Sequence, residues 1–178
     1  MTNPNSIHIG VNRKRLKLVG IGYAIVALFI FCGFYFISTR FEGNWSNAMK
    51  IIGGIMAVFI GVTGLSAVRP LNDKNAGITI DEHGVLDQST SISSGLISWK
   101  SISDLESNSK EKMILIKVKK PDDFIKNAKN RAIKQLLQRN LAIYKTPVVI
   151  ESNYLNCSFD ELQTMLEIQF KKFAHKKL

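Results

Sequence analysis

The hydrophobic residues of this chain are concentrated in two long runs near its start, at positions 18–37 and 51–68, and neither run contains a charged residue. An α-helix rises about 1.5 Å per residue, so runs of this length match the roughly 30 Å hydrocarbon core of a bilayer. The pattern predicts two membrane-spanning helices joined by the polar link 38–50. A cleaved signal peptide is the competing interpretation of the first run. That run is long for a signal core and the residues after it form a poor cleavage site, so we expect an uncleaved anchor.

Beyond position 70 the pattern changes to short alternations of apolar and polar residues. A linker rich in turn-forming residues, 70–76, leads into a first strand at 77–80, and the turn 82–84 leads into a second at 85–87. Further segments rich in β-branched and aliphatic residues lie at 95–99, 102–106, 113–119 and 148–150. This spacing favours antiparallel strands.

Two segments of the same region have helical periodicity instead. Residues 122–139 place apolar side chains at helical spacing and lysine or arginine at most other positions, which predicts one amphipathic helix with a basic side. Near the end, Ser158 and Glu161 have the spacing of a capping box, and an apolar stripe follows them. The expected fold class is α+β: a transmembrane hairpin at 18–69, and an antiparallel β domain at 77–178 closed by a C-terminal amphipathic helix.

The formal net charge of +10 predicts an orientation because it is unevenly distributed. Four basic residues precede the first run with no acidic residue among them: Arg13, Lys14, Arg15 and Lys17. The link 38–50 carries two basic residues and one acidic residue. The positive-inside rule therefore places the basic tail 1–17 in the cytoplasm, and two crossings return the 77–178 domain to the same side. Both termini are expected in the cytoplasm.

Within the second run, Gly53, Ala57 and Gly61 form a small-residue stripe at four-residue intervals, which allows close approach of another helix. The stripe is interpreted chiefly as the face that packs on the first span. A homodimer face is the alternative. Because neither span holds a charged residue, an ion or proton path is not expected.

The residue types needed for catalysis or metal binding do not occur together. Cys32 lies in the first run and Cys157 far along the domain, so both are expected to be free thiols. The three histidines are scattered, and no phosphate-binding loop, nucleophile elbow or set of metal ligands is found. We predict a non-enzymatic protein without a metal or other cofactor.

The order of these segments is similar to that of a known group. The chain resembles uncharacterised bacterial membrane proteins that carry two N-terminal spans and a pleckstrin-homology-like cytoplasmic domain. The segments that carry the resemblance are Gly77-Ile78-Thr79-Ile80, Gly95-Leu96-Ile97-Ser98-Trp99 with Ile102, Lys120-Pro121, Thr146-Pro147-Val148-Val149-Ile150, and Ser158-Phe159-Asp160-Glu161-Leu162. The resemblance implies a pleckstrin-homology-like fold at the bacterial inner membrane and no assigned reaction. The helix before the last strand departs from a simple seven-strand pattern, so the strand count is left open.

Lipid-binding members of that superfamily use basic residues around the first hairpin, whereas Asp81, Glu82 and His83 occupy the turn assigned to that position here. Specific inositol-phosphate binding at that site is therefore not expected. Trp99 could stack on a ligand, but its apolar neighbours favour a core position.

Positive charge is concentrated between positions 117 and 145, where nine lysine and arginine residues accompany two aspartates. The candidate residues for binding lipid or a partner are Lys126, Lys129, Arg131, Lys134 and Arg139. A solvated helix face is the alternative interpretation. Nucleic acid is not an expected partner, because stacking side chains are scarce nearby.

The function favoured by these features is display of the domain at the cytoplasmic face, for binding an unknown protein or for homo-oligomerisation. The alternative is a lipid-sensing module, in which the basic helix 122–139 binds anionic membrane lipids. An accessory or immunity-type membrane protein is a more remote one.

Overall fold

The computed structural model describes residues 6–90 and 93–174, which form two compact units. The hairpin unit comprises residues 13–72. The β-rich unit comprises the described residues of 1–12 and of 73–178. The described chain therefore runs from the β-rich unit into the hairpin unit and back into the β-rich unit. The architecture confirms the α+β class, with two long apolar helices, two antiparallel sheets and a C-terminal helix.

The hairpin unit consists of helices α1 (Arg13–Ser38) and α2 (Asn44–Val68), followed by a 3-10 turn at Arg69–Asn72. Both apolar runs lie inside these helices, and each helix begins several residues before its run. Gly43 enters α2 with a φ of 63°, a left-handed conformation in which a side chain would be strained. The two ends of the unit are close, since Arg13 Nη1 donates a hydrogen bond to the Leu71 carbonyl at 3.1 Å.

The apolar side chains of α1 and α2 point mostly outward. Phe29 and Phe59 are each 73% exposed, although a core helix of a water-soluble protein would bury such residues. Both helices are long and apolar enough to cross a membrane. An apolar surface of this size, with no protein covering it in the described chain, is suited to contact with lipid.

The first sheet has four strands, each antiparallel to the next along the chain: β1 (Ile7–Gly10), β2 (Gly77–Ile80), β3 (Gly84–Asp87) and β4 (Gly95–Ser98). β1 pairs with β2 over its whole length, from Ile7 opposite Ile80 to Gly10 opposite Gly77. The pairing continues one step further, where the Val11 amide donates to the Ala76 carbonyl at 3.2 Å.

Strand β1 differs from the prediction of a basic tail at 1–17. Residues 7–10 belong to the sheet, and residues from 13 onward already belong to α1. The segment has only four alternating residues, and its partner strand lies beyond two long helices, so no local pattern links them. Ile9 and Val11 are 6% and 3% exposed, which makes this segment part of the core.

The second sheet has three strands in chain order, β5 (Ile102–Asn108), β6 (Met113–Val118) and β7 (Val148–Glu151), again antiparallel. Two helices separate the last two strands, α3 (Pro121–Lys126) and α4 (Arg131–Tyr144). Helix α5 (Phe159–Ala174) closes the described chain, as the capping box predicts.

One hydrophobic core joins both sheets and α5. Ile78 and Val85 enter it from the first sheet and Ile116 from the second. Along β6, buried residues alternate with half-buried ones. Leu162 and Leu166, one helical turn apart on α5, are fully buried in the same core.

The single helix predicted at 122–139 is wrong, because the structure divides this segment. α3 ends at Lys126, and Asn130 begins α4 by accepting a hydrogen bond from the Ile133 amide through its side chain at 2.9 Å. An asparagine in this role interrupts one helix and caps the next. α4 continues to Tyr144 and ends at Lys145, which has a φ of 60°.

Candidate functional site

The five basic residues selected from the sequence lie on α3, on α4 and on the turn between them. We call Lys126, Lys129, Arg131, Lys134 and Arg139 the basic surface. All five are exposed. Arg131 and Lys134 are three residues apart on α4, and Arg139 lies on the same outward half of that helix. The structure therefore brings together on one helix three of the five predicted residues.

Helix α4 is held by its inward half and by its end. Leu137 is almost completely buried, Asn140 Nδ2 donates to the Pro147 carbonyl at 3.1 Å, and the Thr146 hydroxyl donates to the Ile116 carbonyl of β6. These contacts connect α4 to both neighbouring strands. The three cations of α4, Arg131, Lys134 and Arg139, therefore project from a helix that is fixed to its neighbours.

No described ion pair involves the basic surface. Asp122 and Asp123 lie in the first turn of α3, where carboxylates complement the positive end of the helix dipole. Among the described residues, these five cations are therefore available to an external anion, whereas Lys117 of the same charged region pairs with Glu106 at 3.1 Å.

Four further exposed residues adjoin this surface and were not selected from the sequence. Lys119 and Lys120 precede α3, Lys145 follows α4, and Ile143 is an apolar side chain 55% exposed near the end of α4. The lysines could have been found from charge counting alone. Ile143 could not, because the helical pattern assigns aliphatic residues to the buried side.

The predicted small-residue stripe is partly engaged inside the hairpin unit. Gly53 is buried against Phe34, so that an added Cβ would overlap that side chain. Ala57 and Gly61 are half-buried, and space is open at Gly61. Gly64, which lies outside the stripe, makes the same kind of close contact with Tyr23.

Trp99 lies in a short 3-10 turn after β4 and is buried, which supports the interpretation as a core residue. Its Nε1 donates to the Asp81 carbonyl at 2.7 Å, and its ring centroid lies 6.2 Å and 6.3 Å from those of Phe170 and Phe173 on α5. Both ring contacts are internal. The residue positions α5 and is not arranged to stack on a ligand.

The turn at Asp81 also occupies a different place from the one assumed. It joins β2 to β3, whereas the first connection of the sheet, between β1 and β2, is the whole hairpin unit. The Asp81 carboxylate accepts hydrogen bonds from the amides of His83 and Gly84, so it stabilises its own turn. The comparison of this turn with a lipid-binding first hairpin was therefore misplaced.

Asp87 is a buried carboxylate that sequence reasoning missed. It accepts hydrogen bonds from the amide and hydroxyl of Ser89 and from the Ser94 amide. The serine-rich segment after an aspartate was the available signal. Ser89 lies shortly after β3 and Ser94 directly before β4, so the carboxylate links the ends of these two strands.

Two titratable groups lie next to each other at the start of α5. Burial, and then the nearby Glu161 charge, raise the pKa of the Cys157 thiol and so disfavour the reactive thiolate. Hydrogen bonds from the Ser158 amide and hydroxyl lower the pKa of Glu161.

Within residues 6–90 and 93–174, no group of three or more His, Cys, Asp or Glu side chains is placed to hold a metal ion.

No family model, curated protein or solved structure matches this chain.

Proposed function

We propose that the chain is a non-enzymatic protein of the bacterial inner membrane. The hairpin unit anchors it, and the β-rich unit is a pleckstrin-homology-like domain displayed at the cytoplasmic face for binding another protein or for assembly with itself. The resemblance in the sequence suggests this class of protein. The observation that supports the anchoring is the exposed apolar surface of α1 and α2, two helices long enough to cross a membrane.

The β1–β2 pairing constrains the topology independently of the positive-inside rule. Strands that share backbone hydrogen bonds must lie on one side of a membrane, so the chain between Gly10 and Gly77 has to cross it an even number of times. The two apolar helices of that segment meet this condition. The basic residues before α1 favour the cytoplasm as the shared side.

The strand order supports the pleckstrin-homology-like fold. Four antiparallel strands, then three, follow one another in chain order, and α5 contributes Leu162 and Leu166 to the core that they share. In this reading the hairpin unit is an insertion in the first strand connection, and α3 and α4 are an insertion in the last. Both insertions leave the order of the seven strands in the described chain intact.

Protein binding is supported by isolated apolar side chains on the surface of the β-rich unit. Leu96 on β4 and Ile168 on α5 are each more than half exposed. Side chains of this kind at the centre of an interface contribute through burial on association.

The topology is tested by labelling single cysteines in a chain whose Cys32 and Cys157 are replaced by alanine. His8→Cys, Glu42→Cys and Lys172→Cys place thiols at exposed positions in β1, in the helix link and in α5. In intact spheroplasts, a membrane-impermeant maleimide should label only the cysteine at 42. Labelling of position 8 or 172 before permeabilisation would contradict the proposed orientation.

Assembly with itself is tested separately by the mass of the full chain in detergent over a range of concentrations. A dimer or larger species at the lowest concentrations would support self-assembly. A monomer at every concentration would rule out self-assembly and leave binding to a different protein as the proposed function.

A further inference from the structure

The basic surface and Ile143 together have the composition of a site for a negatively charged bilayer. We infer that the outward half of α4, with Lys126 and Lys129, binds the head groups of anionic phospholipids while Ile143 inserts between them. The inference rests on the proposed membrane anchoring and goes beyond it, because it assigns a second membrane contact to the β-rich unit itself.

Charge segregation within the β-rich unit is the first observation behind this inference. Positions 117–145 carry nine basic and two acidic residues, whereas positions 73–116 carry four basic and seven acidic ones. A solubilising surface would be served by mixed charges. Concentration of one sign on a single insertion gives the unit a positive side that attracts an anionic surface.

Availability of the cations is the second observation. The five side chains of the basic surface are exposed, and no described ion pair involves them. Each cation near an anionic leaflet strengthens binding to that leaflet roughly fivefold. Several cations together bind the β-rich unit to the bilayer only if the bilayer is already close. The proposed anchoring through the apolar hairpin unit meets this condition, because it tethers the β-rich unit to the membrane.

Ile143 is the third observation, because it distinguishes a bilayer from a soluble anion. It lies four residues after Arg139, one turn along α4, with the small exposed Ala142 beside it. An aliphatic side chain next to cations can enter the boundary between head groups and acyl chains. A soluble phosphate would gain nothing from it. Nucleic acid would call for exposed aromatic rings, whereas Tyr144 and Phe124 are both partly buried.

The experiment uses the full chain in nanodiscs, with an environment-sensitive fluorophore on Gln138→Cys after Cys32 and Cys157 have been replaced by alanine. Gln138 is exposed and uncharged, and it lies between Lys134 and Ala142 on the outward half of α4. In nanodiscs with about a third phosphatidylglycerol, the emission should shift to the blue relative to pure phosphatidylcholine. The shift should disappear when salt is raised from about 0.1 M to about 0.5 M, because screening shortens the range of the attraction.

Two triple variants distinguish an effect of cations located on α4 from an effect of the net charge of the β-rich unit. Arg131→Gln, Lys134→Gln and Arg139→Gln together should reduce the ratio of bound to free domain on the order of 100-fold. The matched control removes three exposed lysines elsewhere in the same unit, through Lys74→Gln, Lys100→Gln and Lys110→Gln. This control should keep the blue shift. Equal loss in both variants would overturn a specific role for α4.

Two further measurements complete the test. Ile143→Ser should weaken the shift while leaving its salt dependence; an unchanged shift would overturn the insertion of Ile143. Identical emission in neutral and anionic nanodiscs, from chains that co-elute with the discs, would overturn the inference while leaving the anchoring intact. Failure of the chain to enter nanodiscs at all would instead count against the proposed anchoring.

Discussion

Ser158 and Glu161 define the start of α5 through a reciprocal set of hydrogen bonds. The Ser158 amide and hydroxyl both donate to Glu161 Oε2, at 2.8 Å and 2.9 Å, and the Glu161 amide donates to the Ser158 hydroxyl at 3.2 Å. Amides that the first helical turn would leave without partners are thereby satisfied. The firm start fixes the register in which Leu162 and Leu166 enter the core.

The Glu161 carboxylate should make this cap dependent on pH. Its pKa is lowered in the folded chain from the usual value of 4.5, so the stabilisation is complete above 4.5 and is lost as pH falls through the lower folded value. Glu161→Gln should lower the melting temperature at pH 7, and the difference from the native chain should shrink below pH 4.5. Trp99 fluorescence in a Trp45→Phe chain would follow the melting.

The matched control for this prediction is Ser158→Ala, which removes the hydroxyl donor and should itself cost about 1 kcal/mol. In that background, Glu161→Gln should have a smaller effect at pH 7. An equal effect in both backgrounds would show that the carboxylate acts through some other contact.

At the scale of whole elements, α1 and α2 pack through glycines opposite large side chains. Gly53 packs against the side chain of Phe34 and Gly64 against that of Tyr23, while Gly20 on α1 packs against Val68. Each pair lets one backbone approach the other, and such close approach strengthens the dispersion contacts between the two helices. The hairpin is therefore held by alternating contacts contributed by both helices.

Alanine substitutions should separate these glycines by position. Gly53→Ala should destabilise the hairpin by about 1–3 kcal/mol, the usual range for overpacking, because the new methyl group overlaps Phe34. Gly61→Ala, on the same helix with open space around it, should be neutral. Unfolding of the full chain in mixed detergent measures both. Similar losses in the two variants would mean that Gly61 faces a partner helix outside this chain.

At the scale of the molecule, the β-rich unit is a self-contained fold interrupted by the hairpin unit. Its two halves meet at the β1–β2 pairing, and the chain leaves and re-enters next to the Val11–Ala76 hydrogen bond. The points of departure and return are thus neighbours. A short turn is sufficient to join them.

Replacing residues 13–72 by a four-residue glycine and serine turn should yield a water-soluble, monomeric domain with cooperative thermal unfolding. Circular dichroism and gel filtration measure the outcome. Residues 73–178 alone, without β1, should be unstable or aggregate, because β2 becomes an open edge and the core loses Ile9 and Val11. Equal stability of the two chains would show that β1 is dispensable.

What the sequence predicts well is local, and what it misses depends on distant partners. The capping box at Ser158 works over three residues, and the apolar runs are visible without any tertiary contact. Asn130 marks the break between α3 and α4 locally. An asparagine inside a helical pattern, however, is compatible both with one continuous helix and with the start of a second helix. The place of Ile9 in the core depends on its pairing with Ile78, which follows only after two long helices.

The candidate site shows the same division between local and distant information. The five residues of the basic surface were selected by counting charge along the sequence, and their role in binding stays a prediction. Their exposure, the fixed attachment of α4 through Asn140, and the position of Ile143 beside Arg139 required the fold. No sequence period distinguishes an exposed isoleucine from a buried one near a helix end.

The β1–β2 pairing also sets an order of events during biogenesis. β1 leaves the ribosome long before its partner, since hydrogen-bonded His8 and Thr79 are 71 positions apart. With the two crossings proposed above, the four-stranded sheet can close only after both helices are inserted, because a chain with one inserted helix has its two halves in different compartments. An incompletely inserted chain would then keep β2 as an open edge, a feature by which proteases or chaperones distinguish it from the finished protein.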